Sequence, residues 1–282
     1  DLGTNVHELF YDKETGDMWI GTFRNGLFRY NLRTHKYKHY TAFNSGLKSN
    51  AVFAITRQNN DHRRLWIATT LGLMCYDPKT DSIIQSNHPA LDTDFIYCLY
   101  PDYTGNLWVG TVNRGLFRID GETGEVKGWS KSTISNNGGL NDYYVTSIYE
   151  DNNGRVFVGT NNGGVQIIDS KKFNFQNFTD TQNSFGTVCA IKQDMADNIW
   201  ITTSNGLYKV NPENLSYLRF TTTDGLPENQ FNFSSILQAS DNRIYCGTVN
   251  GLVAFSPSIT KRPNLTATVH LWSLALNNNI VT

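Results

Sequence analysis

One phrase returns six times along this chain. It is an aromatic residue, in most copies a β-branched residue, a small residue and Thr, then two or three loop residues and a Gly followed by an apolar residue. It reads Trp19-Ile20-Gly21-Thr22 to Gly26-Leu27, Trp66-Ile67-Ala68-Thr69 to Gly72-Leu73, and Trp108-Val109-Gly110-Thr111 to Gly115-Leu116. The other copies are Phe157-Val158-Gly159-Thr160 to Gly164-Val165, Trp200-Ile201-Thr202-Thr203 to Gly206-Leu207, and Tyr245-Cys246-Gly247-Thr248 to Gly251-Leu252. The aromatic anchors are spaced by 47, 42, 49, 43 and 45 residues. A period in that range marks a propeller blade or a short solenoid unit.

The third copy shows what one unit contains. Phe95 to Tyr100 is an apolar run, Pro101 to Asn106 a turn, Leu107 to Thr111 a second run, and Leu116 to Asp120 a third. After the turn Gly121-Glu122-Thr123-Gly124 comes a fourth run, Glu125 to Trp129. Short runs rich in β-branched and aromatic residues, divided by Gly, Asn and Asp, read as strands. No stretch keeps a helical period for about ten residues, which argues against helical and leucine-rich solenoids. The expected fold is an all-β propeller of four-stranded antiparallel blades. Six blade repeats are visible over residues 1–257, as a ring of their own or as part of a larger seven-bladed one. The anchoring aromatics are expected in the core, and the repeated Gly at a loop position with positive φ.

Composition narrows the partners. The formal net charge is −1 and no polybasic block is present, which disfavours nucleic acid and anionic membrane surfaces. No apolar run approaches the length needed to cross a bilayer, so any membrane attachment would come through parts C-terminal to this chain. The chain opens at Asp1 without Met or a signal segment, which suggests a processed or excised piece and says nothing about export. Cys75, Cys98, Cys189 and Cys246 fall in separate strand runs without zinc-ligand spacing. They read as buried thiols, with a Cys75–Cys98 disulfide between neighbouring blades left open.

The repeat resembles that of the two-component regulator propeller family: Gly-Leu, a few polar residues, Asn, an apolar strand, Asp-x-x-Gly, then aromatic-Ile-Gly-Thr and Gly-Leu. Gly46-Leu47-Lys48-Ser49-Asn50-Ala51-Val52 and Gly225-Leu226-Pro227-Glu228-Asn229-Gln230-Phe231 match the opening of that pattern. Gly139-Leu140-Asn141-Asp142-Tyr143-Tyr144-Val145 matches with Tyr143 in the Asn slot. The resemblance covers residues 6–256. Residues 258–282, with the alternating run Val269 to Leu276 before Asn277-Asn278, are similar to the linker and first strand of the β-sandwich that follows such propellers. The resemblance implies a periplasmic sensor module of a hybrid receptor, self-associating as a receptor dimer and signalling to a histidine kinase. It also implies an oligosaccharide or other small ligand.

The residues themselves carry little catalytic chemistry. His7, His35, His39, His62, His88 and His270 share no repeat position, with His35 and His39 assigned to an outer-strand run. Metalloprotease, nucleophile-elbow and phosphate-loop motifs are absent. Asp12 to Asp17 lacks the spaced ligands of a calcium loop and reads as a hairpin turn. No catalytic residue, metal or cofactor is expected. The competing readings are a propeller lyase or hydrolase acting on glycans, and an architectural propeller whose face contacts protein.

Binding can be placed more concretely. Loops between second and third strands and loops leading into each first strand should share one face of the disc. They carry Arg24, Asn25, Asn113, Arg114, Asn161, Asn162 and Asn205, and the lead-in residues Tyr143, Tyr144 and Asn229. Amides offer donor and acceptor to sugar hydroxyls, and Tyr offers a flat apolar surface. Asn beside Gly also suits a tight turn, so Arg24, Arg114, Tyr143 and Tyr144 are the stronger candidates. The long loop 131–144 is a further candidate.

Overall fold

The computed structural model describes residues 5–58, 64–131, 139–178 and 185–258, with two short strands beyond them. Blade 1 holds β1 (Val6–Asp12), β2 (Asp17–Thr22), β3 (Leu27–Asn31) and β4 (Tyr37–Tyr40). Blade 2 holds β5 (Val52–Arg57), β6 (Leu65–Thr69), β7 (Gly72–Asp77) and β8 (Ser82–Gln85). Blade 3 holds β9 (Ile96–Pro101), β10 (Leu107–Thr111), β11 (Leu116–Ile119) and β12 (Val126–Trp129). Blade 4 holds β13 (Val145–Glu150), β14 (Arg155–Thr160), β15 (Val165–Asp169) and β16 (Phe175–Phe178). Blade 5 holds β17 (Val188–Gln193), β18 (Ile199–Thr203), β19 (Gly206–Val210) and β20 (Tyr217–Phe220). Blade 6 has β21 (Phe231–Gln238), β22 (Ile244–Thr248) and β23 (Gly251–Phe255), and among the described residues no fourth strand joins them.

Within each blade the strands pair antiparallel in chain order, and the first strands of successive blades pack on one another around a central channel. The result is the β-propeller that the six-fold repeat predicts. Beyond it, β24 (Leu274–Leu276) pairs with β25 (Asn279–Val281). The rest of 259–282, including most of the expected linker and sandwich strand, lies outside the described residues, as do His62 and residues 132–138 of the long loop.

Each position of the repeated phrase has a physical job. The anchors Trp19, Trp66, Trp108, Phe157 and Trp200 are buried between their own blade and the next. The Thr closes the turn that follows: Thr111 Oγ1 donates to the Gly115 carbonyl at 2.9 Å and accepts from the Arg114 N–H at 3.0 Å. The clasp from Thr to the Gly carbonyl recurs in all six blades, at 2.8 to 3.1 Å. Gly115 sits at φ 87°, and a Cβ there would stand 2.3 Å from the Trp129 carbonyl oxygen. The small residue before Thr lets the next blade approach. At Gly110 a Cβ would meet Cys98 Sγ at 2.4 Å and Val145 Cγ1 at 2.7 Å.

All four cysteines are buried and none is in a disulfide. Cys75 lies in the core between blades 2 and 3, and Cys98 in the core between blades 3 and 4. Blade 3 separates the two thiols, which closes the disulfide alternative. His35 departs from its expected place: it occupies the turn before β4 at φ 56°, whereas His39 lies in β4 and stacks on Phe28 at 4.0 Å.

Candidate ligand-binding face

The turns between second and third strands and the lead-in loops meet on one face, because backbone bonds tie them together. The Gly26 N–H donates to the Asn50 carbonyl at 2.9 Å, Gly72 to Asp94 at 2.9 Å, Gly115 to Tyr143 at 2.9 Å and Gly206 to Asn229 at 2.8 Å. In each case the turn of one blade is stitched to the loop that enters the next. This repeated bond explains why the Gly-apolar and Asn positions recur together in the sequence.

The candidate residues divide into three groups around this face. Asn113, Arg114, Tyr143, Tyr144, Asn161 and Asn162 converge where blades 3 and 4 meet. Arg24 and Asn25 sit at the turn of blade 1, and Asn205 and Asn229 at the junction of blades 5 and 6. The structure does not bring the three groups into one cluster.

Several candidates already have structural work. Asn229 Oδ1 accepts from the Thr222 N–H at 2.8 Å and so fixes the preceding loop, as Asn50 does with Ala42. Asn161 Oδ1 accepts from Thr187 Oγ1 at 3.1 Å. The Asn205 carbonyl accepts from Arg219 at 2.8 Å, and the Asn25 carbonyl from His39 at 2.5 Å. Arg114 pairs with Asp94 at 2.7 Å, donates to the Ala90 carbonyl at 2.8 Å and lies 4.9 Å over the Phe117 ring. Its guanidinium holds the loop between blades 2 and 3, with half of the side chain still in solvent.

Other candidates keep their side chains open. Among the described residues the side chains of Arg24, Asn113, Asn162 and Tyr143 make no hydrogen bond, although Asn162 is held by its N–H to Asp142 Oδ2 at 2.8 Å. Tyr143 is 48% exposed, with the Lys131 ammonium 5.9 Å from its ring. Arg24 extends over its neighbour Phe23 at 5.9 Å. Tyr144 is half-buried and meets Tyr97 edge-on at 5.3 Å, and burial raises its hydroxyl pKa.

The sequence reading missed what fills the channel mouth. Each first strand carries a register shift just after its first residue, which leaves His7, Phe53, Tyr97, Thr146 and Cys189 as extra residues. Three of these are aromatic rings in contact. His7 and Phe53 are 4.4 Å apart, Phe53 and Tyr97 5.3 Å, and Phe233 crosses from blade 6 to Tyr97 at 5.5 Å. Phe95 and the exposed Phe23 pack against Phe53 from the rim. Burial lowers the His7 pKa against the opposing pull of its bond to the Phe53 carbonyl, which favours the neutral ring. The available signal was a single aromatic one residue into each first strand, in three of six copies.

Below this plug the channel holds a cavity of about 330 Å³, lined by Glu8, Tyr100, Tyr103, Ser147, Tyr149 and Lys192 among others. Burial alone pushes the Glu8 carboxyl up to about 8. Among the described residues no group of three His, Cys, Asp or Glu side chains is placed to hold a metal ion.

Two segments of this chain, 90–113 and 139–162, match the model of the family described as "Two component regulator propeller". A histidine kinase, P4, of Formosa agariphila is 24% identical over 281 residues, covering 96% of this chain but 17% of its own length. A solved structure described as the extracellular domain of a hybrid two component system from B. thetaiotaomicron is 25% identical. It superposes with a TM-score of 0.72 over 89% of this chain and 33% of its own. Virginiamycin B lyase from Staphylococcus aureus shares the fold, with a TM-score of 0.64 at 15% identity over 91% of this chain and 86% of its own. This chain therefore spans less than a fifth of the curated relative and a third of the receptor domain. No helix among the described residues is long and apolar enough to cross a membrane. Of the six copies of the phrase, those of blades 3 and 4 are thus the ones that match the repeat of the two component regulator propeller family.

Proposed function

We propose that this propeller is the ligand-sensing, non-enzymatic module of a periplasmic two-component receptor. It binds an oligosaccharide on the face built from the turns and lead-in loops. The observation that carries this reading is the junction of blades 3 and 4. There the exposed Tyr143 is carried on the lead-in loop that the Gly115 N–H bonds, Asn162 is tied to the same loop through Asp142, and Asn113 and the half-exposed Arg114 belong to the turn that ends at Gly115. A flat apolar ring flanked by amides that both donate and accept suits a pyranose with its hydroxyls. The likeness to receptor domains and to a histidine kinase supports a sensor role. The kinase, the dimer partner and the membrane attachment belong to other parts of such a receptor. Ligand binding can signal only by favouring one arrangement of receptor subunits over another.

Calorimetry against defined neutral and acidic oligosaccharides, with the ligand recovered and weighed, tests this directly. Saturable heat with intact ligand is expected. Tyr143→Ala should weaken it at least about tenfold, roughly 1.4 kcal/mol. A shortened ligand would replace the sensor reading with a lyase or hydrolase, and the absence of heat from every sugar would favour the architectural one.

A further inference from the structure

Two charged side chains depart from the plan that the first strands share. Across from the small motif residue, blades 2 to 5 place Ala54, Cys98, Ser147 and Ala190, whereas blade 1 places Glu8 opposite Gly21. Across from the anchor, the other blades place Phe10, Thr56, Tyr100, Tyr149 and Leu237, whereas blade 5 places Lys192 opposite Trp200. Both line the channel cavity of about 330 Å³, and among the described residues no other charged side chain does. Glu8 also borders the seam between β1 and β21. Among the described residues neither Glu8 nor Lys192 makes a hydrogen bond or an ion pair, and they do not pair with each other. The Lys192 ammonium lies 5.3 Å from the Tyr149 ring. Glu150, on the adjacent blade, is already engaged, its Oε2 accepting from the Tyr103 N–H at 2.7 Å. The aromatic plug lies at the end of the cavity toward the turns and lead-in loops. The cavity therefore opens at the opposite face, where the hairpin between β9 and β10 carries the exposed Tyr103.

The geometry points to a second binding site, inside the channel, for a small hydroxycarboxylate whose carboxylate is held by Lys192 and whose hydroxyls meet Glu8, Ser147 and Ser234. An ammonium donates three hydrogen bonds and accepts none, and holding it out of water without a counter-charge is costly. An entering carboxylate supplies the missing partner. Glu8 does not supply it: burial pushes its carboxyl up to about 8, so near neutral pH it keeps its proton and is a donor. Ser147 and Ser234 line the same cavity with hydroxyls that make no hydrogen bond among the described residues, and each can donate and accept. One positive charge ringed by uncharged polar groups matches one negative charge on a polyhydroxylated body. The volume lies at the lower end of the roughly 300–1,000 Å³ typical of ligand pockets, which suits a ligand of single-sugar size and not an oligosaccharide. The plug separates this site from the face that carries Tyr143, and the inference does not rest on what that face binds.

Gluconate, sorbitol and propionate are the probes, titrated by calorimetry into the 282-residue chain near pH 7. Sorbitol keeps the hydroxyls without the carboxylate, and propionate keeps the carboxylate without the hydroxyls. Gluconate should bind one site with a dissociation constant below about 1 mM, and the other two should bind at least about tenfold more weakly. Lys192→Met keeps the length of the side chain and removes its charge, and it should weaken gluconate at least about tenfold. If that variant fails to fold, Ser147→Ala gives a second reading, with gluconate weakened about threefold. Crystals soaked in gluconate should show it between Lys192 and Glu8. The inference is overturned by an absence of saturable heat from gluconate up to about 10 mM, or by undiminished binding to Lys192→Met. Propionate or sorbitol binding as tightly as gluconate would also overturn it, as would gluconate found only on the Tyr143 side of the plug.

Discussion

Asp102 holds the first hairpin of blade 3 and reaches into its core. Its Oδ1 accepts from the N–H groups of Thr104 and Asn106, at 3.0 and 2.8 Å, and its Oδ2 takes the Trp108 indole N–H at 3.0 Å. Asp194 does the same for Trp200 at 2.8 Å. The Asp-x-x-Gly signature therefore serves two purposes, a turn and an acceptor for a buried donor. In blade 1 the turn is one residue longer, and Asp12 pairs with Arg57 while the Trp19 indole N–H has no partner. Asp102→Ala should then cost on the order of 3 kcal/mol in urea unfolding. Trp108→Phe and Trp19→Phe both give up buried ring volume, but only Trp108→Phe also breaks an indole hydrogen bond, so it should cost about 1 kcal/mol more. Equal losses at Trp19 and Trp108 would show that ring packing rather than the indole bond sets the difference.

At the scale of the strand and turn, the clasp of Thr and Gly repeats in every blade, which is why six divergent copies remain visible in one sequence. Thr111→Val keeps the shape but strips both the bond to the Gly115 carbonyl and the one from the Arg114 N–H. The expected cost is about 2 kcal/mol, with faster hydrogen exchange at Arg114 and Gly115 but unchanged exchange in β14. Exchange rising equally in both blades would mean that blades open together rather than singly. This level of structure was legible because the clasp demands Thr and Gly at a spacing of three or four residues. The shared face of turns and lead-in loops was legible for the same reason. The division of labour among its Asn residues was not, since Asn161 and Asn162 are neighbours in one turn and only Asn161 bonds through its side chain. Only the loop that each one meets decides whether its amide is spent. The aromatic plug was hidden for a further reason: a bulge adds one residue to a strand and breaks the alternation by which inward and outward positions are read.

For the whole molecule, the channel is where all six blades meet, and two neighbouring residues of β1 on its wall respond to pH in opposite senses. Glu8 lines both the channel cavity and the seam, half-buried, and its carboxyl titrates near 8 rather than near 4.5 because burial disfavours the charged form. A raised folded-state pKa contributes stability that is complete below the unfolded value and is lost as pH climbs through about 8. His7, next in the chain and wedged between Phe53 and Tyr97, is lowered by burial from its ordinary 6.5. Its contribution is present above that value and is lost as pH falls below it. Lys192, on the same channel wall, is lowered by burial from the usual lysine range, so its contribution runs in the same sense as that of His7. The contributions of Glu8 and His7 oppose each other between about 4.5 and 6.5, and above that the loss at Glu8 stands alone until about 8. Glu8→Gln should therefore remove the fall from pH 7 to 9 and uncover a fall from pH 7 to 5.5, whereas His7→Phe should keep the fall from pH 7 to 9 and make stability rise from pH 7 to 5.5. Urea midpoints at pH 5.5, 7 and 9 for the parent and both variants decide it. A parent curve that still falls as steeply at alkaline pH after Glu8→Gln would place the sensitive group elsewhere in the channel.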